Sequence, residues 1–238
     1  MRILILGYGK MGKVIEEIAE ERGHTVPFKI NIHNTQALKF IDAQSVDVAI
    51  EFSQPDAAFE NIKYCLERGI PVVCGTTGWL DKKKEAEELC LSHNGAFFYA
   101  SNFSLGVNLF FRLNEILATM MDAHKVYNVG ITEIHHTEKL DAPSGTAITL
   151  ADELIRQLSG KDRWINEASA ESEEVSIISK RESDVPGTHI ITYSSDVDEI
   201  EIKHTAKSRM GLAMGAVLVS EWIIGKKGVF SMKDFMNF

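Results

Sequence analysis

Between Glu133 and Ala147 the chain reads EIHHTEKLDAPSGTA, which places two imidazoles, His135 and His136, an ammonium, Lys139, and the small or hydroxylated residues Ser144, Gly145 and Thr146 within fifteen positions. An imidazole has an ordinary pKa of ~6.5, so one of the pair can give up a proton at neutral pH. Successive side chains of a strand face opposite sides, so both imidazoles share a surface only where a strand ends and bends. Asp141-Ala142-Pro143 supplies that ending, because proline fixes φ and keeps Ala142 out of the α region. Ser144 then caps a helix, TAITLADELIRQLSG, with Ala147, Ala151, Leu154, Ile155 and Leu158 on one stripe and Gly160 as its stop. The N–H groups of Gly145 and Thr146 lie in its first turn, where they form a seat for an anion. A proton donor, a cation and an oxyanion seat in one place suit a small substrate that carries carboxylates. No metal is expected, since adjacent histidines without a further Cys or His at ligand spacing do not match zinc patterns.

Stepping toward the N-terminus, RILILG (Arg2 to Gly7) is a buried parallel strand, and Gly7-x-Gly9-x-x-Gly12 follows at once. Val14, Ile15, Ile18 and Ala19 then recur at helical spacing up to Gly23. In a strand, glycine loop and helix of this kind Gly7 makes the tight turn, Gly9 lets backbone approach a pyrophosphate, and Gly12 allows close helix-to-strand packing. The acidic residue that takes a ribose hydroxyl is expected about 20 residues on. Asn31 and Asn34 stand there instead, which leaves the choice between NADH and NADPH open.

Further strand and helix segments alternate up to AFFYASNFS, which predicts an α/β fold with a doubly wound parallel sheet. Ligands bind such sheets at the carboxyl ends of the strands, so Glu51-Phe52-Ser53, Gly75-Thr76-Thr77 and Ser101-Asn102-Phe103 are expected to rim the cofactor. The second half differs. A long amphipathic helix (107–123) and a strand arriving at His135 precede three segments of strand composition, VSIISKRE, GTHIITYSSD and DEIEIKHTA, which read as a β-meander. The expected organisation is a Rossmann-like dinucleotide-binding domain over 1–103, with a C-terminal helix of about 209–238 returning to it. A smaller α+β domain with a mixed or antiparallel sheet is expected over 104–208.

Composition narrows the class. With 238 residues and a net charge of −9 spread along the chain, there is no basic footprint for nucleic acid. No apolar run approaches the ~20 residues a bilayer requires. Cys65, Cys74 and Cys90 lack paired spacings, which suggests reduced, structural thiols in a cytoplasmic protein.

The motif around His135 resembles the signature of the 4-hydroxy-tetrahydrodipicolinate (dihydrodipicolinate) reductase family of the diaminopimelate route to lysine. GYGKMG, EFSQP, GTTG, SNFSLGVN and EIEIKHTAKSRMGLAMGA resemble that family's other segments in order. The resemblance implies an NADH- or NADPH-dependent oxidoreductase acting on a small dicarboxylate, with His135 as proton donor and Lys139 as its catalytic partner. It implies His136, Ser144, Gly145 and Thr146 as the substrate-binding set. Cofactor contacts are implied from Gly7, Tyr8, Gly9, Lys10, Met11 and Gly12, from Asn31 and Phe52, from Gly75, Thr76 and Thr77, and from Ala100, Ser101, Asn102 and Phe103. A homotetramer assembled through the meander is also implied. The chain departs from the family pattern at Asn31, at Ser183-Asp184-Val185-Pro186 and at Leu212; the last two are expected to touch interface or hinge packing and not the reaction. Two other readings are an NAD(P) oxidoreductase of the aspartate or homoserine dehydrogenase type, which lacks the His-His-x-x-Lys motif, and a non-enzymatic dinucleotide-sensing module.

Overall fold

The computed structural model describes residues 1–238, and the chain divides into two compact units, Met1–Leu105 with Met210–Phe238 and Gly106–Arg209. In the first unit six parallel strands, β1 (Arg2–Leu6), β2 (Thr25–Ile30), β3 (Val48–Glu51), β4 (Val72–Cys74), β5 (Ala96–Tyr99) and β11 (Gly228–Phe230), lie in the order β11-β5-β4-β3-β1-β2. The uninterrupted apolar run of β1 is explained by its two neighbours and two covered faces. Ile3 and Ile5 enter one core with Ile15 and Ile18 of α1 (Lys10–Glu21) and Val217 of α6 (Met210–Ile223), while Leu4 and Leu6 enter the other with Ile62 of α2 (Pro55–Leu66) and Cys90 of α3 (Lys83–Ser92).

The second unit has a five-stranded mixed sheet, β10-β9-β6-β8-β7, built from β6 (Asn128–His135), β7 (Arg163–Ile165), β8 (Glu174–Arg181), β9 (Gly187–Ser194) and β10 (Glu199–Ala206). Phe110, Ala118 and Met121 of α4 (Leu105–Met121) and Ala147, Leu150, Ala151 and Leu154 of α5 (Gly145–Gln157) share a core with Val129, Ile131, Val175, Ile177, Ile191 and Tyr193 of the strands. Along β6 the buried positions alternate, Val129, Ile131, Glu133 and His135. The hydrophobic stripe therefore ends in a carboxylate and an imidazole.

Two expectations are corrected. The three late strands do not form a meander, because β6 lies between β8 and β9, parallel to the first and antiparallel to the second; only β9 and β10 pair as consecutive strands. Strand composition carries no information about pairing order. The terminal helix does not run through 209–238: α6 stops at Ile223, Gly225 takes a positive φ of 77°, and the chain continues as β11 and the short α7 (Met232–Met236). Finally, residues 182–186 cross over the end of β6 to reach β9, and the Glu182 N–H donates to the carbonyl of His135 at 2.9 Å. The Ser183-Asp184-Val185-Pro186 segment therefore starts next to the end of β6.

Candidate active site

Residues i and i+2 of a strand share a face, which brings Glu133 and His135 together at the end of β6. Glu133 is completely buried, and its Oε2 lies 3.1 Å from Nδ1 of His135. The register of β9 sets His189 opposite Glu133, and its Nε2 is 3.9 Å from the same oxygen. The other carboxylate oxygen, Oε1, accepts the Ser144 N–H at 3.1 Å and faces both terminal nitrogens of Arg181 at 3.4 Å. Burial pushes the Glu133 carboxyl upward, but the contacts with His135 and Ser144 overcome it and hold the group well below the usual carboxylate range. Burial also pushes His189 down to about 4, and the neighbouring His135 adds to this. His189 is therefore neutral at pH 7, with Nε2 3.2 Å from the Ser144 hydroxyl.

The α5 start forms as its sequence requires. Ser144 is the N-cap and its hydroxyl accepts the Ala147 N–H at 3.2 Å. Gly145 and Thr146 are the first residues of the helix, where amides have no intrahelical acceptor, and a Cβ built on Gly145 meets nothing within 4 Å. The Ser144 hydroxyl is thus committed to capping, and what the helix start leaves free for an anion is backbone. Lys139 donates to both oxygens of Asp141 at 2.8 Å, which holds the Asp141 carboxyl below its ordinary value. Arg181 ties this loop down by donating to the carbonyls of Asp141, at 2.7 Å, and Lys139, at 3.3 Å. His136 is half-buried just past the strand end, in the turn that closes when the Lys139 N–H donates to its carbonyl at 3.1 Å.

In the first unit, the cofactor candidates gather at the carboxyl ends of β1, β3, β4 and β5. Gly7 has φ +96°, and a Cβ there would sit 2.1 Å from the Phe52 carbonyl oxygen; one on Gly12 would sit 2.7 Å from that of Gly7. Around Gly9 there is open space within 4 Å, as close approach of a pyrophosphate requires. The amides of Gly7 and Tyr8 already donate to Ile30, that of Gly9 to Gly7 and that of Lys13 to Gly9, so the free helix-start amides are those of Lys10, Met11 and Gly12. No acidic residue lies in this first turn. These features fit a dinucleotide. The Phe52 ring lies over Gly75 and 5.6 Å from the Phe103 ring, and Thr76 Oγ1 accepts the Ser53 N–H at 2.8 Å. Thr77 and Ser101 are exposed, whereas the Ala100 and Phe103 side chains are buried. The Asn31 side-chain oxygen accepts the His33 N–H at 2.8 Å.

Sequence reasoning missed Glu133, Arg181, Gly187 and His189, and placed Glu51 only as part of the rim. Glu51 is fully buried and binds the rim together, accepting from the Ser53 N–H at 3.2 Å and the Cys74 thiol at 3.3 Å. Glu133 was legible from period-two alternation alone, while His189 needed the β6–β9 register. Glu133, His135 and His189 also place ligand-type atoms within 4.8 Å of one another, a metal-capable geometry that spacing along the chain could not reveal. A cavity of about 610 Å³ in the second unit, lined by Lys125, Asn128, Lys161 and Tyr193 among others, lies at the opposite end of β6. At roughly 3.3 Å per residue that is about 20 Å from His135, so cavity size does not locate the chemistry.

A parallel sheet with a glycine-loop anion site, joined in one chain to an α+β unit that presents a buried imidazole beside a helix start, defines a two-domain nicotinamide-dependent oxidoreductase. The family models described as dihydrodipicolinate reductase, N-terminus and C-terminus, match residues 1–103 and 106–236. A 4-hydroxy-tetrahydrodipicolinate reductase of Christiangramia forsetii is 52% identical, covering 100% of this chain and 98% of its own. One from Neisseria meningitidis is 32% identical over 93% of this chain and 84% of its own. A dipicolinate-bound dihydrodipicolinate reductase from Paenisporosarcina sp. TG-14 shares the fold with a TM-score of 0.79 and 21% identity, covering 97% of each chain. The chain belongs to the dihydrodipicolinate reductase family, enzymes of lysine and diaminopimelate biosynthesis that use NADH or NADPH. This sets aside the aspartate or homoserine dehydrogenase reading and the sensing module. No helix is long and apolar enough to cross a membrane.

Proposed function

We propose that His135 is the proton donor and Lys139 its cationic partner in the reduction of 4-hydroxy-tetrahydrodipicolinate to tetrahydrodipicolinate, with His136, Gly145 and Thr146 holding the substrate. One observation carries this reading: a single carboxylate, Glu133, touches both the imidazole of His135 and the amide that opens α5, each at 3.1 Å. A group able to give a proton and a helix start able to hold an anion are thus one side chain apart. One substrate carboxylate rests on the Gly145 and Thr146 amides, and Ser144 keeps that turn formed. Lys139 leaves Asp141 for the incoming charge. Bound at the strand ends of the first unit, NADH or NADPH supplies the hydride. The hydroxyl leaves with a proton from the neighbouring ring carbon as water, Lys139 offsetting the negative charge; the hydride then adds to the resulting double bond and His135 gives its proton to the adjacent carbon that becomes electron-rich.

The first unit is assigned to the dinucleotide. Gly7, Tyr8, Gly9, Lys10, Met11 and Gly12 hold its phosphates, Asn31 its ribose, and Phe52, Gly75, Thr76, Thr77, Ala100, Ser101, Asn102 and Phe103 form the rim. The second unit is assigned to the substrate and to a homotetramer. Three free buried cysteines support a reducing compartment, the cytoplasm.

The test follows NAD(P)H absorbance, with substrate made in situ from pyruvate and aspartate semialdehyde by the preceding enzyme. His135→Gln is expected to lower kcat by ~10² to 10⁴. Undiminished turnover in that variant would remove His135 from the mechanism. The same assay with each nucleotide reads the preference that Asn31 sets.

A further inference from the structure

Glu133 occupies a position that the β6 alternation reserves for an apolar side chain, in line with Val129 and Ile131. A buried carboxylate is tolerated only where charge and hydrogen bonds compensate it. Oε1 has that compensation from Ser144 and Arg181, but Oε2 has no aligned hydrogen bond, and neither has Nδ1 of His135 3.1 Å away. Both atoms are sealed from solvent. The other side of the His135 ring rests on bare backbone: a Cβ on Gly187 would lie 3.1 Å from Nε2 and 3.2 Å from Cδ2. The ring is thus held between a carboxylate at Nδ1 and a glycine at Nε2.

We propose that Glu133 is the positioning residue for His135, taking its Nδ1–H so that Nε2 is the nitrogen that carries and releases the transferred proton, and that Gly187 keeps that nitrogen uncovered. The partner of one ring nitrogen sets which proton the other carries. The Nε2 proton moves to the substrate carbon, after which Nδ1–H remains on Glu133 and Nε2 is recharged from solvent. Glu133 itself neither gains nor loses a proton. The same carboxylate grips the Ser144 amide, so it also fixes the distance between donor and anion seat. His189, 3.9 Å from Oε2 and turned to the Ser144 hydroxyl, fills the remaining side as a neutral ring. A metal ion among the three groups is disfavoured by the Arg181 guanidinium, whose two terminal nitrogens lie 3.4 Å from the same carboxylate.

This inference rests on His135 being the proton donor, and its test separates the two. Glu133→Gln keeps the shape and removes the charge; Glu133→Asp keeps the charge and shortens the reach. The expected result is a fall in kcat of ~10² for Glu133→Gln, with the substrate KM within about threefold of wild type, and a smaller fall for Glu133→Asp. A purely packing role predicts the reverse order, because Gln is the better steric match. If His135→Gln is inactive while Glu133→Gln keeps wild-type kcat, the positioning role is wrong and the donor stands; if both turn over normally, the donor reading fails as well. Should the Glu133 variants not fold, ¹⁵N-histidine-labelled wild-type enzyme decides, with the His135 resonances identified by their loss in His135→Gln. A protonated Nδ1 at neutral pH is expected. An unprotonated Nδ1, or a stoichiometric metal ion in the purified enzyme, overturns the proposal.

Discussion

His189 ties the protonation of the site to the stability of the fold. The unfolded chain takes up its proton near the ordinary value of 6.5, the folded chain only near 4, so protons favour the unfolded state between those values. Stability is complete above about pH 6.5 and is lost as pH falls toward 4, by an amount on the order of 3 kcal/mol. Glu133, held ionised in the fold, adds a loss of the same sign once pH falls below its ordinary range. Urea midpoints of wild type and His189→Asn measured from pH 7 to pH 4 should show a steep decline for wild type and a shallower one for the variant; parallel curves would mean that His189 is not buried as a neutral ring. At this scale the chain announced its chemistry unevenly. The proposed donor, cation and anion seat, His135, Lys139 and the Gly145-Thr146 start, sit within one short stretch, so residue type and order alone suffice to propose them. Arg181 and His189 come from β8 and β9, and nothing local to them distinguishes a site residue from an ordinary polar position in a strand.

The helix α5 shows how an element converts sequence into a binding surface. Ser144 caps it, joins it to Glu133 through its amide, and meets His189 through its hydroxyl. Ser144→Ala removes the cap and leaves the Ala147 N–H and the His189 ring without that oxygen, so a destabilisation of about 1 to 2 kcal/mol is expected in denaturant unfolding. The substrate KM should rise with it, since the same turn presents the Gly145 and Thr146 amides; an unchanged KM would separate the cap from the anion seat. The helices and the buried strands were readable because their signals are local: period 3.6 with an N-cap and a glycine stop, or an unbroken apolar run. Pairing was not readable. That β6 separates β8 from β9 depends on contacts more than 40 residues apart, and β11, only Gly228–Phe230, is too short for any periodicity. The nearness of Glu182 to His135 was not readable for the same reason, since it follows from that strand order.

For the whole molecule, the sheet of the second unit has one face covered by α4 and α5. On the opposite face Ile134, Ile178 and Ile190 lie around Thr132 with intermediate exposure, as the β6–β8 and β6–β9 registers require. Burial of this face against other copies is the expected basis of the proposed tetramer. Light scattering coupled to size exclusion should give four times 26.5 kDa for wild type and a smaller mass for Ile190→Glu. A wild-type monomer would end that assembly reading. The division into two units was legible as a change from strand–helix alternation to clustered strands, but the complete make-up of the first unit was not. That unit is discontinuous in the chain: the face of β1 that holds Ile3 and Ile5 is covered by α6, and the edge of β5 is closed by β11. During synthesis, then, the middle segment 106–209 is the first to leave the ribosome with all its own strands, while the opening hundred residues wait, their sheet half-roofed, for the last thirty to arrive.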